Sequence, residues 1–134
     1  MASATEVTLR QEIRSVLLAG RLPCARAFGV SRHLSITPLQ VGDIASAMSI
    51  RISQCQLGLF GYGPKSEGKH RTVVPAPKVS NELRATIEAS LIGGRLPCKA
   101  AWAIATKFSC SRLSVSATAE ALSIRISECQ LGCF

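Results

Sequence analysis

Four cysteines and four arginines occupy the positions of this 134-residue chain that could do chemistry: Cys24, Cys55, Cys98 and Cys129, with Arg21, Arg51, Arg95 and Arg125. Thiolates are ligands for zinc and for iron–sulfur clusters, and a thiol at a helix N-terminus gains nucleophilicity as its pKa falls. Arginine forks hold phosphate or cap carbonyls. The cysteine spacing does not favour a metal. Cys24 and Cys55 lie 31 residues apart, as do Cys98 and Cys129, and no C-x-x-C pair supplies two ligands from one turn. We therefore read the four thiols first as small buried hydrophobes, with zinc or an iron–sulfur cluster as the alternative. Otherwise no cofactor is expected.

These residues recur because the chain is a duplication. A shift of 74 positions aligns Leu9–Phe60 with Leu83–Phe134 without a gap, and about half of the aligned residues are identical. "GRLPC" stands at Gly20–Cys24 and Gly94–Cys98. "SIRIS" and "CQLG" close each copy at Ser49–Gly58 and Ser123–Gly132. A residue kept in both copies serves the unit itself. By that standard Cys110 (matched to Ile36) and Cys133 (matched to Leu59) read as plain hydrophobes. No Asp or Glu is shared: Asp43 faces Ala117, Glu12 faces Thr86 and Glu120 faces Ser46. His33 faces Lys107, so the unit lacks a duplicated general acid, base or activated nucleophile. The chain reads as a non-enzyme.

The elements that position these residues follow from periodicity and caps. Leu9, Ile13, Val16 and Leu17 share one helical stripe, repeated by Leu83, Ile87 and Leu91, with Thr8 and Gln11 as a capping box and Gly20 as a C-cap. Pro23 and Pro97 open a second helix, which carries Cys24 and Cys98 at its start, where the helix end lowers a thiol pKa. Thr37 and Ser111 cap a third helix. "IRIS" then alternates as a short strand that ends near Ser53 and Ser127. The expected architecture is mainly α, with two tandem three-helix helix-turn-helix-like units, each with a short β-strand, packed as an intrachain pseudo-dimer. "IRIS" would pair with "IRIS" across the pseudo-twofold. The units span 1–60 and 79–134. A basic Gly/Pro-rich linker spans 61–78, with "HRTVV" (His70–Val74) as a possible strand.

"VSRHLSITPLQVGDI" (Val30–Ile44) and "IATKFSCSRLSVSAT" (Ile104–Thr118) resemble the helix-turn-helix of DNA-binding domains, and the trailing strand resembles a stunted wing. Ser31 and Ala105 match the small residue of the second helix. Leu34, Ile36, Val41 and Ile44, with Phe108, Cys110 and Val115, match its apolar anchors, and the second copy offers Thr118 at the last of them. The family's turn glycine is replaced by Ser35 and Ser109. The resemblance implies a duplex-binding, transcription-regulatory protein.

A net charge of +8 and a pI near 9.7 fit a polyanionic partner. The candidate contacts are Arg26, Arg32, Lys99 and Lys107 on the second helices, and Gln40, Arg112 and Ser114 on the third. The linker adds Lys65, Lys69 and Arg71. Gln40 and Arg112 are the strong base readers, while Asp43 and Glu120 repel phosphate. Contact is therefore expected mainly through backbone charges. The alternative is a protein-interaction or thiol/metal-binding module. For Arg21, Arg51, Arg95 and Arg125, capping of first-helix carbonyls or pairing between units is favoured over phosphate contact. Met1–Val7 has no basic, apolar leader pattern, and no apolar run approaches a bilayer span, so a cytoplasmic protein with reduced thiols and no membrane contact is expected. The two similar third helices would sit at fixed spacing, and further dimerisation is left open.

Overall fold

The computed structural model describes residues 4–134, so the first three residues of the Met1–Val7 segment lie outside the described residues. Six helices and four two-residue strands follow one another as two similar sets. The first holds α1 (Ala4–Ser15), β1 (Leu22–Pro23), α2 (Cys24–Leu34), α3 (Pro38–Ala47) and β2 (Ile52–Ser53). The second holds α4 (Asn81–Ala89), β3 (Leu96–Pro97), α5 (Cys98–Lys107), α6 (Arg112–Ala121) and β4 (Ile126–Ser127).

Leu9, Ile13 and Ile87 are buried, as the stripe requires, and α2 packs on α3 as α5 packs on α6. Thr37 and Gln40 form a full capping box on α3, which holds Pro38 at its first position. Ser111 accepts the Ser114 N–H on α6. The turns between these helices are left-handed at Ser35 (φ 54°) and Ser109 (φ 51°), so serine takes the conformation that glycine usually supplies. That costs on the order of 1 kcal/mol per turn. In the first copy the Ser31 hydroxyl offsets this, donating to the Ile36 carbonyl at 2.5 Å across the turn.

The helix starts differ from the sequence reading. Thr8 lies inside α1, so it does not cap it, and α4 is capped by Ser80. Gly20 is no C-cap either. Ala19 and Gly20 are both left-handed (φ 52° and 76°) in a tight turn closed by Leu18 and Arg21, and Gly93 and Gly94 repeat it (φ 59° and 77°). Two successive positive φ values explain the Gly-rich spelling.

The strands also differ from expectation. β2 pairs in parallel with β1, Leu22 against Ile52, and β4 with β3, Leu96 against Ile126. "IRIS" thus pairs with "RLP" of its own unit and not with the other "IRIS", and each unit has two short strands instead of one. β2 and β4 end where Gln54 and Glu128 turn left-handed at φ 49°. "HRTVV" forms no strand. Val73 is buried, and the Thr72 and Val73 N–H groups both donate to the Gly58 carbonyl. The linker is an ordered strap, with one 3-10 turn at Lys65–Glu67, that reaches α6 through the Ala76 N–H to Ala117 carbonyl bond at 3.0 Å.

The units are joined by an exchange. Leu131, at the tail of the second unit, is buried in the first core with Leu9, Ile13, Val41 and Ala45. Its counterpart Leu57 is buried in the second core with Ile87, Leu96, Val115 and Ala119. The approach is tight: a Cβ on Gly42 of α3 would lie 1.8 Å from the Leu131 carbonyl oxygen. The contacts are reciprocal, with Gly58 against Leu113 and Gly132 against the equivalent Leu39. Phe28 meets its own counterpart Trp102, with ring centroids 4.2 Å apart, and Phe60 meets its counterpart Phe134 edge-on at 6.3 Å. Equivalent residues touch each other only near a twofold axis, so these two ring pairs mark the axis of the intrachain pseudo-dimer. Each ring pair adds roughly 0.5–1.5 kcal/mol beyond its burial.

Candidate functional site

The repeated cysteines gather around this axis. Cys24 lies in the first core with Cys129 packed against it, and Cys55 and Cys98 lie in the second, so each core holds one thiol from each copy. Their burial overrides the helix-end effect expected for Cys24 and Cys98. Desolvation pushes Cys24 up to about 12, against a weaker pull from the Gln56 backbone N–H, and also raises Cys98 and Cys55. At neutral pH these three are thiols, and the Gln130 amide lies 3.5 Å from the Cys98 sulfur. Among the described residues no three Cys, His, Asp or Glu side chains are grouped to hold one ion.

Cys133 departs from the plain-hydrophobe reading. It is exposed, and the Cys129 and Cys133 thiols interact, which lowers the pKa of Cys129 and raises that of Cys133. Leu59 at the matching position hid this pair from comparison of the copies. Cys133→Ala is expected to raise the pH midpoint for alkylation of Cys129, followed by peptide mass spectrometry, towards the ordinary thiol value near 8.5. A midpoint unmoved by the substitution would show that Cys133 does not hold the thiolate.

The basic and polar candidates divide into engaged and free groups. Arg112 is engaged: its guanidinium stacks 3.5 Å from the Trp102 ring centre and bonds to the Gln56 side chain. It ties α6 to the first unit's tail. Gln40 spends its amide oxygen on the Thr37 N–H, and the Ser114 hydroxyl bonds to that of Ser111. Arg71 pairs with Glu120 at 3.0 Å, and Lys69 lies 3.9 Å from Glu67. Arg26 donates to the Val16 carbonyl, one residue past the end of α1. Arg32, Lys65, Lys99 and Lys107 are exposed and stand in no ion pair among the described residues.

The third helices are not equally open. On α6, Arg112 meets Gln56, Leu113 meets Gly58, Ala117 meets the strap and Glu120 meets Arg71. The first unit's tail and the strap cover part of its outward face, leaving Leu113 and Ser114 exposed. On α3, Gln40, Asp43, Ser46 and Ala47 stay exposed. The chain does not present two equivalent recognition helices. The exposed cations of α2 and α5 lie near the turns: Arg32 is in the last turn of α2, and Lys107 ends α5.

Comparison of the chain with protein families, with curated proteins and with solved structures gives no match. No described helix is long and apolar enough to cross a membrane.

Proposed function

We propose that this protein is a cytoplasmic, non-enzymatic regulator of transcription that holds duplex DNA by its backbone phosphates, without strong base readout. The observation that carries this reading is the charge placement. Both helix-turn-helix-like units carry exposed cations on the second helix, Arg32 in one and Lys99 and Lys107 in the other. The side chains suited to reading bases are occupied elsewhere: Arg112 by Trp102 and Gln56, Gln40 by its own helix cap. Phosphate contacts position a protein on a duplex but carry no sequence information. The exposed third helix adds Asp43, which disfavours deep entry into a groove.

Binding of a labelled random-sequence duplex, followed by fluorescence anisotropy, tests this. Micromolar affinity at about 50 mM salt that falls by at least tenfold at about 200 mM is expected, since counterions are released from each neutralised phosphate. Absence of binding at the lower salt would overturn the proposal and favour a protein-interaction module.

A further inference from the structure

The structure assigns a second site, a phosphoryl-binding cleft for a small molecule, between β1–β2 and the linker strap. The cleft has a volume of about 670 Å³ and is lined by Arg21, Arg51, Lys65 and His70 with an apolar wall that includes Ile52 and Phe60. No carboxylate lines it. The geometry of the two arginines is the informative part. Leu22 registers with Ile52 in the parallel pair, and the Leu22 N–H donates to the Arg51 carbonyl at 2.9 Å, so Arg21 and Arg51 sit side by side one step earlier. Neighbouring strands run about 4.8 Å apart, and like charges placed across them repel. A cross-strand pair of cations without an acid is the arrangement that an oxyanion relieves, through the fork geometry suited to phosphate.

Two further features set this copy apart. The strap closes over it: a Cβ on Gly61 would lie 2.6 Å from the Gln54 nitrogen, so the loop is seated tightly against the end of β2 and brings Lys65 and His70 to the cleft. The buried Nδ1 of His70 has no hydrogen-bond partner in the protein. The second copy keeps Arg95 and Arg125, but Arg125 shares its cleft with the Arg71–Glu120 ion pair, which supplies its own anion. The first copy is therefore the binding one. Its occupant is a small phosphorylated molecule, since a duplex backbone needs an open stripe and this cleft is walled by the strap.

Inorganic pyrophosphate is the probe, titrated into the full chain and followed by amide chemical shifts and calorimetry. Saturable binding is expected, with shifts at Arg21, Arg51 and Gly61–His70. Arg51→Gln and Lys65→Gln should each weaken it at least tenfold, while Arg125→Gln, which removes the same charge from the other copy, changes it less than twofold. Matched thermal melts of Arg51→Gln and the parent chain keep a folding defect from imitating the loss. No saturable binding, or an equal loss in Arg125→Gln, overturns the proposal. So does an Arg51→Gln defect confined to duplex binding, which would make the cleft a DNA contact. Failure of the duplex test alone leaves the cleft standing, because pyrophosphate is read independently.

Discussion

Leu131→Ala is expected to destabilise the protein by about 3 kcal/mol, within the range for a fully buried leucine, and to disturb the first unit before its own. Leu131 is 3% exposed and sits among Leu9, Ile13, Val41 and Ala45, so the cavity opens under α1 and α3. Chemical denaturation gives the magnitude, and methyl shifts of Leu9, Ile13 and Val41 give the location. Leu57→Ala should do the reverse, moving Ile87 and Val115 in the second core. Shift changes confined to the unit that carries the substitution would show that the tails fold back onto their own cores.

Gly42→Ala is the second substitution with a large expected effect, and its sign is the test. At an open helix position the change from glycine to alanine stabilises by about 1 kcal/mol. Here the new Cβ would lie 1.8 Å from the Leu131 carbonyl oxygen and 2.7 Å from its carbon, both backbone atoms that cannot rotate away. A loss of roughly 1–3 kcal/mol is expected, with the second unit's tail displaced from α3. The matching residue on α6 is Ser116, which is buried at 1% exposure, so the second core accepts a side chain where the first does not. Ser116→Gly should cost no more than about 1 kcal/mol, the usual penalty for glycine inside a helix. A stabilised Gly42→Ala would contradict the close approach of the tail.

The sequence carries the local signals well and the long-range ones poorly. Thr37–Pro38–Gln40 and Ser111 mark the third helices by capping chemistry, which needs only neighbours, and both starts are as expected. Gln54 and Glu128 mark the strand ends, because continued alternation would bury them. The partner of each strand was not legible, since Leu22–Pro23 is too short to show a period. Nor was the exchange. The two copies spell the same "CQLG", so Leu57 and Leu131 fit either core by composition, and only geometry decides which core receives each. Among the site residues, Arg112 looks like a base reader from its helix position. What removes it is Gln56, 56 residues away in sequence. The Cys24 and Cys98 thiols illustrate a competition between two effects: the helix end lowers a thiol pKa, burial raises it, and burial is the larger here.

The charge placement leads to one comparison that tests backbone binding most directly. The salt dependence of random-duplex affinity would be measured for the parent chain, for Arg32→Gln with Lys107→Gln, and for Arg112→Gln. Phosphate contact by the exposed cations predicts that the double variant binds every duplex more weakly and that its slope of log K against log salt falls by about 1.8, or 0.9 for each lost contact. Arg112→Gln, whose charge already faces Trp102 and Gln56, should keep the parent slope. A slope that changes only in Arg112→Gln would place the duplex on α6 and contradict the reading.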